Sequence, residues 1–251
     1  MELNHGTLMF AFPVLVLFAV LEALYLSFVR KQRYEWRESA ASLGVAIGGR
    51  LIGLLMSGIV VLFAQEVWQY RCFTLPMQHP LYWPVLFMMV EFIYYWFHRI
   101  NHTYRWFWAT HAVHHTPNKF YLSGAYRLGW TGQLTGGFVF FAPLFLLGFN
   151  PASVFLVLGL NLLYQFWLHT ELIGPLYWFD RFFNSPSNHR VHHSTYSAYL
   201  DENFGGILML FDHLFGTYAA EDKAKPIRQY GVLPAIASYN PIKIAMHEWV
   251  R

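Results

Sequence analysis

Apolar residues run along this chain in long blocks instead of the short periodic patches of a soluble fold. Two of them, Leu8 to Val29 (LMFAFPVLVLFAVLEALYLSFV) and Leu43 to Ala64 (LGVAIGGRLIGLLMSGIVVLFA), reach the ~20 residues a helix needs to cross a bilayer. Leu81 to Phe97 (LYWPVLFMMVEFIYYWF) is a shorter third block. Gln133 to Phe149 and Ser153 to Leu168 are two further runs, joined by the turn-forming Gly148-Phe149-Asn150-Pro151. Whether they span or form a shallower hairpin, they return the chain to the face it left. Residues 170–251 are rich in turn formers and contain no further apolar block. The expected fold is all-α: a polytopic membrane bundle of four to five apolar helices, closed by a helical cap. No repeat or low-complexity stretch divides the chain, so 1–251 reads as a single integral membrane domain.

Composition sharpens this picture. The 251 residues are 56% hydrophobic and 12% charged, against roughly 25% charged positions in soluble domains. A single cysteine, Cys72, excludes an intrachain disulfide, an iron-sulfur cluster and a thiolate zinc site. The first block has no basic flank before it and no small-residue cleavage pattern after it, so no removable signal peptide is expected. The net charge of +3 gives no reason to invoke nucleic acid. Of the 17 Lys and Arg residues, 15 fall on one predicted face, Arg50 lies inside the second block and Arg71 alone lies on the opposite face. By the positive-inside rule the cap is then cytoplasmic and the N-terminus is not.

Histidine is the outlier. Of 13 histidines, eight fall in three groups, HRINH (His98, His102), HAVHH (His111, His114, His115) and HRVHH (His189, His192, His193). Residues three or four apart share a helix face, so each group aims its imidazoles in a common direction. Pro117 is expected to end the helix of the second group, and Ser185-Pro186 to start that of the third. With His169, which closes the last apolar run, nine histidines are expected on one membrane face. Nine nitrogens exceed one coordination sphere, so two metal ions are the economical reading, and imidazole suits iron, zinc, copper or nickel. The simpler alternative, interfacial histidines on an aromatic-rich surface, does not explain two HxxHH triplets beside an HxxxH pair. His5, His79 and His247 have no companions at ligand spacing. A haem protein would not need triplets, and a metal transporter would place ligands near the bilayer midplane.

Here the sequence resembles the fatty acid hydroxylase and sterol desaturase superfamily. EFIYYWFHRINH with HAVHH matches the first two histidine boxes, and NHRVHH with NFGG and FDHLFGTY matches the third box and closing element. The likeness covers a catalytic core over residues 85–218. QFWLHTELIGPL is similar to the branch that includes alkylglycerol monooxygenase, and by that likeness His169 is a further ligand. His213 stands where the family often has a basic residue, and reads as a neutral replacement. The box spacing and tail fit the acyl-CoA desaturases less well.

The resemblance implies two iron ions, with zinc able to occupy the site in purified protein, and a dioxygen-dependent oxidation that hydroxylates or desaturates a lipid: a fatty acyl chain, a sterol or an ether lipid. No catalytic residue is expected beyond the metal ligands. The Gly-rich stretches GVAIGG and LTGGF lack the strand-turn-helix context of a nucleotide site, so electrons are expected from outside. A basic surface suits a cytochrome b5-like protein or a ferredoxin, whereas the alkylglycerol branch implies a reduced pterin and ether-lipid cleavage. Glu91, Glu171, Asn188 and Asp212 lie near presumed ligands and are expected to orient imidazoles by hydrogen bonds. Glu22, Arg50 and Glu91 all fall roughly 10 Å below the histidine-bearing boundary. Equal depth and opposite charge predict that Arg50 pairs with Glu22 or Glu91.

Overall fold

The computed structural model describes residues 5–251 except 223, 225 and 226, with side chains described from Phe12 onward. It is all-helical, and the described residues contain no strand, only isolated bridges at Phe183–Leu208 and Ser194–Tyr230. Helix α1 (His5–Leu24) continues through a wider turn, Tyr25–Val29, and α2 (Trp36–Gln69) is a single 34-residue rod. Helices α3 (Tyr82–Thr103) and α4 (Arg105–His115) follow, then the short α5 (Ala142–Leu147) and α6 (Pro151–Tyr164), which tightens into a 3-10 turn at Gln165–Leu168. The cap contains α7 (Trp178–Phe182), α8 (Pro186–His192), α9 (Leu210–Phe215) and α10 (Pro241–Met246).

Among the described residues, three helical stretches are long and apolar enough to cross a membrane: Phe12–Val29, Trp36–Gln69 and Pro151–Leu168. That is fewer than the four to five expected from the apolar blocks. The run from Gln133 is not one helix. It begins in turns and becomes helical only over Gly137–Leu147, first as a 3-10 turn and then as α5, about 19 Å of rise and roughly two thirds of a bilayer core. Gly148 then takes a left-handed φ of 103°, Asn150 caps the next helix by accepting the Ala152 N–H, and Pro151 opens it. Helix α3 is long enough at 22 residues, but Glu91, His98, Arg99, Asn101 and His102 lower its hydropathy. Of these, His98 and His102 belong to the site.

The bundle core joins Ala64 of α2, Leu86 and Val90 of α3, Leu144 and Phe145 of α5 and Val154 of α6. In lipid, hydrocarbon does not drive helices together, and close packing and interhelical hydrogen bonds take over. A buried polar chain fills that role. The Tyr94 hydroxyl donates to Gln165 Oε1 (3.0 Å), the Gln165 amide to Asn161 Oδ1 (2.6 Å), and the Asn161 amide to Glu91. Glu91 also accepts the N–H groups of Ile207 (2.9 Å) and Leu208 (2.8 Å).

Arg50 pairs with neither acid predicted for it. It is exposed, with its guanidinium 4.2 Å from the centre of the Phe12 ring. Backbone and hydroxyl donors reach the carboxylates instead: Glu22 accepts the Leu122 N–H (2.7 Å) and the Thr170 hydroxyl. Depth is what separates them: α2 starts at Trp36, fourteen residues before Arg50, and the Phe12 ring it covers lies ten residues before Glu22 on α1. The most deeply buried arginine among the described residues is Arg127, which bonds Glu38 Oε1 (2.8 Å), the Glu38 carbonyl, Ser42 and Thr116. Breaking such a pair typically costs about 3–5 kcal/mol.

Candidate metal centre

Each histidine is placed by a local signal legible in the chain. His98 and His102 lie one turn apart at the end of α3. Tyr104 is extended (φ −105°, ψ 123°), which breaks the helix and lets α4 fold back on α3. Helix α4 ends at His115, two residues before Pro117. Ser185 caps α8 by accepting the Asn188 N–H, with Pro186 in its first turn. His169 follows the 3-10 turn that ends the last span.

These elements bring the nine predicted histidines into two groups. His98, His102, His111, His115 and His192 form one, and His114, His169, His189 and His193 form the other, with the ligand atoms of each within 4.8 Å of one another. Both triplets are divided between the groups. His111 and His115 go one way and His114 the other; His189 and His193 go one way and His192 the other. Helix geometry explains the split. Residues i and i+4 differ by about 40° around the axis, whereas adjacent residues diverge by about 100° and must aim at different centres.

The donor set fits metal ions. Nε2 atoms approach at 3.0 Å (His98 and His111), 3.2 Å (His111 and His115), 3.2 Å (His114 and His169), 3.0 Å (His169 and His189) and 3.1 Å (His189 and His193). Two nitrogens roughly 2.1 Å from a shared ion and at right angles to each other stand about 3.0 Å apart. The buried Nε2 atoms of His102 and His192 have no protein partner, an arrangement that costs roughly 1–3 kcal/mol per group unless something else binds them.

The outer nitrogens fix which lone pair faces inward. Nδ1–H of His98 donates to the Phe204 carbonyl (2.8 Å), that of His192 to Glu202 (2.9 Å), that of His169 to Gln165 (3.0 Å) and that of His114 to Arg127 (3.3 Å). His102 Nδ1 lies 3.4 Å from the Asp201 carboxylate. With Nδ1 protonated, Nε2 is left as the donor to a metal. Burial holds these imidazoles neutral: the pKa of His114 is pushed down to about 4, and those of His111, His115, His189, His192 and His193 fall well below the ordinary 6.5. Neutral imidazole is the form that binds metal.

None of the four side chains predicted to orient the imidazoles hydrogen-bonds one. Asp212 accepts the N–H groups of Phe204 (2.7 Å) and Gly205 (2.8 Å) and the Thr217 hydroxyl (2.8 Å). Asp212 therefore acts at the peptides flanking Phe204, whose carbonyl holds His98, and Glu91 holds the same loop three to four residues further on. Asn188 donates to the carbonyls of Asp180 and Phe183, and Glu171 is exposed. The actual partners are mostly backbone carbonyls, which carry no sequence signature, and Asp201, which lies in a turn without a motif. His213 donates to the Arg181 carbonyl, His79 accepts the Leu81 N–H and His247 donates to the Ile244 carbonyl, all outside both groups. The His5 side chain lies outside the described residues. A cavity of about 260 Å³ is lined by His102, Trp108, His115, His192 and Asp201 among others.

Fold and site together define a helical membrane protein with two convergent histidine groups. The fatty acid hydroxylase family model matches residues 83–217, and the chain belongs to that family. It is 37% identical to human alkylglycerol monooxygenase over 94% of this chain and 53% of that protein. It is 40% identical to alkylglycerol monooxygenase of Danio rerio over 72% of this chain and 40% of that protein. An ornithine lipid hydroxylase of Rhizobium tropici is 31% identical over 66% of this chain and 51% of that protein. The chain thus spans about half the length of the curated relatives it matches. No solved structure matches it.

Proposed function

We propose that this chain is a membrane-bound, non-haem di-iron oxidoreductase that uses dioxygen and external electrons to hydroxylate a lipid alkyl chain. The observation that carries this reading is the division of nine buried or half-buried histidines into groups of five and four, each offering enough convergent nitrogens for one ion. All nine are ligands in this reading. An unactivated C–H bond is beyond any side chain, and a reduced iron pair supplies the oxidising power for it from dioxygen. The protein's part is to hold the imidazoles neutral and aimed, through the carbonyls of Phe204, Glu202, Gln165 and Arg127. Zinc binds such sites at least as tightly as ferrous iron but does not cycle, so activity requires iron.

The balanced reaction consumes R–H, dioxygen, two electrons and two protons, and yields R–OH and water. The electrons come from a carrier protein or a reduced pterin. The alkylglycerol monooxygenases matched over most of this chain favour an ether lipid. Hydroxylation of the carbon beside the ether oxygen gives a hemiacetal, which breaks into an aldehyde and an alcohol without further oxidation. Lipid extracts from cells with and without the active chain, compared by mass spectrometry, are expected to differ by a gain of one oxygen or by ether loss with aldehyde formation. A loss of two hydrogens would assign desaturation instead, and unchanged lipids in iron-replete, aerated cells supplied with both kinds of reductant would overturn the proposal.

The histidine-bearing face is cytoplasmic in this reading, on the 15-to-one distribution of basic residues. A reporter fused after Arg251 is expected to be active in the cytoplasm; activity on the opposite side would reverse the topology.

A further inference from the structure

The cap is not a wholly aqueous structure. Trp178 and Phe182 on α7 and Leu210 and Leu214 on α9 are 68%, 61%, 42% and 64% exposed. The two helices are tied side by side. Met209 N–H donates to the Phe182 carbonyl (3.0 Å), Asn184 N–H to Ile207 (2.8 Å) and His213 Nε2 to Arg181 (2.9 Å). The two helices are thus neighbours, each with an exposed apolar pair four residues apart, and a soluble protein rarely leaves so much apolar area to water.

Depth gives the second observation. Glu91 lies seven residues before His98, and Asn161 seven before Leu168, the end of the last span. Glu91 is therefore roughly 10 Å below His98, and deeper still below the end of α3 at Thr103, and Asn161 is roughly 10 Å below the end of the last span; Glu91 accepts Ile207 and Leu208 N–H at that level. The loop entering α9 descends alongside the spans. Non-helical backbone at membrane depth requires its polar groups to be satisfied by protein. Four N–H groups here are taken by carboxylates: Phe204 and Gly205 by Asp212, Ile207 and Leu208 by Glu91.

The patch also continues exposed apolar surfaces of α3 and of the last span. Phe211 packs on Phe92 of α3 (ring centroids 5.4 Å), itself 38% exposed. On the other flank the Tyr164 hydroxyl donates to the Asn184 carbonyl (2.6 Å) beside Leu160 and Leu163, the exposed side of the last span.

We infer that α7, α9 and the loop from Phe204 to Leu208 form an in-plane element buried in one membrane leaflet, whose exposed side chains contact lipid acyl chains. The inference rests on the membrane-spanning reading and not on metal or activity. Its consequence for the site is direct, since Phe204 of that loop holds His98, so the lipid phase reaches within one loop of the five-histidine group.

Spin labels at Trp178→Cys, Phe182→Cys and Leu214→Cys test this, each in the full chain with Cys72→Ser and reconstituted in phosphatidylcholine vesicles. Leu55→Cys, at an 82% exposed site in α2, gives the lipid reference, and Arg228→Cys, in an exposed cap segment, the aqueous one. Power saturation should show collision with dissolved oxygen exceeding collision with a water-soluble nickel chelate several-fold at all three cap positions, as at Leu55. Accessibilities like those at Arg228 would place the patch in water and overturn the inference. Shielding from both reagents would mean that another protein surface covers it, which overturns it equally. Neither result bears on metal content or lipid oxidation.

Discussion

Elemental analysis after reconstitution with ferrous iron is expected to give two iron ions per chain, and the two sites should not fail alike. The group of His114, His169, His189 and His193 has four ligands and the other has five. Removing one imidazole from the four leaves three; removing one from the five leaves four, a full set for a stable site. His169→Ala or His189→Ala should therefore lower the content towards one iron per chain. The affinity loss should exceed the roughly 10–100-fold that follows when only an orienting partner is removed. His102→Ala should keep nearly two. A single ion in the unaltered chain, or equal losses from both groups, would refute the division into two sites.

Acid is expected to destabilise the metal-free protein steeply between neutral pH and about pH 4. Burial depresses the folded-state pKa of His114 from 6.5 to about 4, so the unfolded chain takes up the proton first. The stabilisation is present in full above about 6.5 and is lost as the pH falls through that interval. For His114 alone the difference is worth roughly 3 kcal/mol. His111, His115, His189, His192 and His193 shift in the same direction through burial and mutual repulsion. Bound metal adds to the slope, because protons compete for the same nitrogens. Thermal unfolding in detergent across pH 4–8 would measure it. A transition temperature flat from pH 7 to pH 4.5 would contradict the burial of neutral imidazoles.

Much of this protein is written locally. Long apolar blocks specify helices in lipid because a backbone without water must satisfy itself. Spacings of three and four residues specify imidazoles on one helix face. Pro117, Ser185 and Pro186 specify where the ligand-bearing helices stop and start. These signals act within a turn or two, so the local grouping of the histidines on short helices could be read from the chain.

Where placement in the fold mattered, local pattern was silent. The block boundaries put Arg50 level with Glu22 and Glu91, yet α2 already starts at Trp36 and Arg50 covers Phe12, ten residues from Glu22 along α1. The run from Gln133 had span-like composition, but only Gly137–Leu147 is helical, because turns before it and Gly148 after it cut it short. Spacing implied that nine histidines converge, and the fold decided which five and which four. Adjacent imidazoles point about 100° apart, so their assignment waits on which neighbouring helix stands opposite each face. The groups that orient them are backbone carbonyls of Phe204, Glu202, Gln165 and Arg127. Every residue has a carbonyl, so only the path of the chain in space makes those four available to an imidazole.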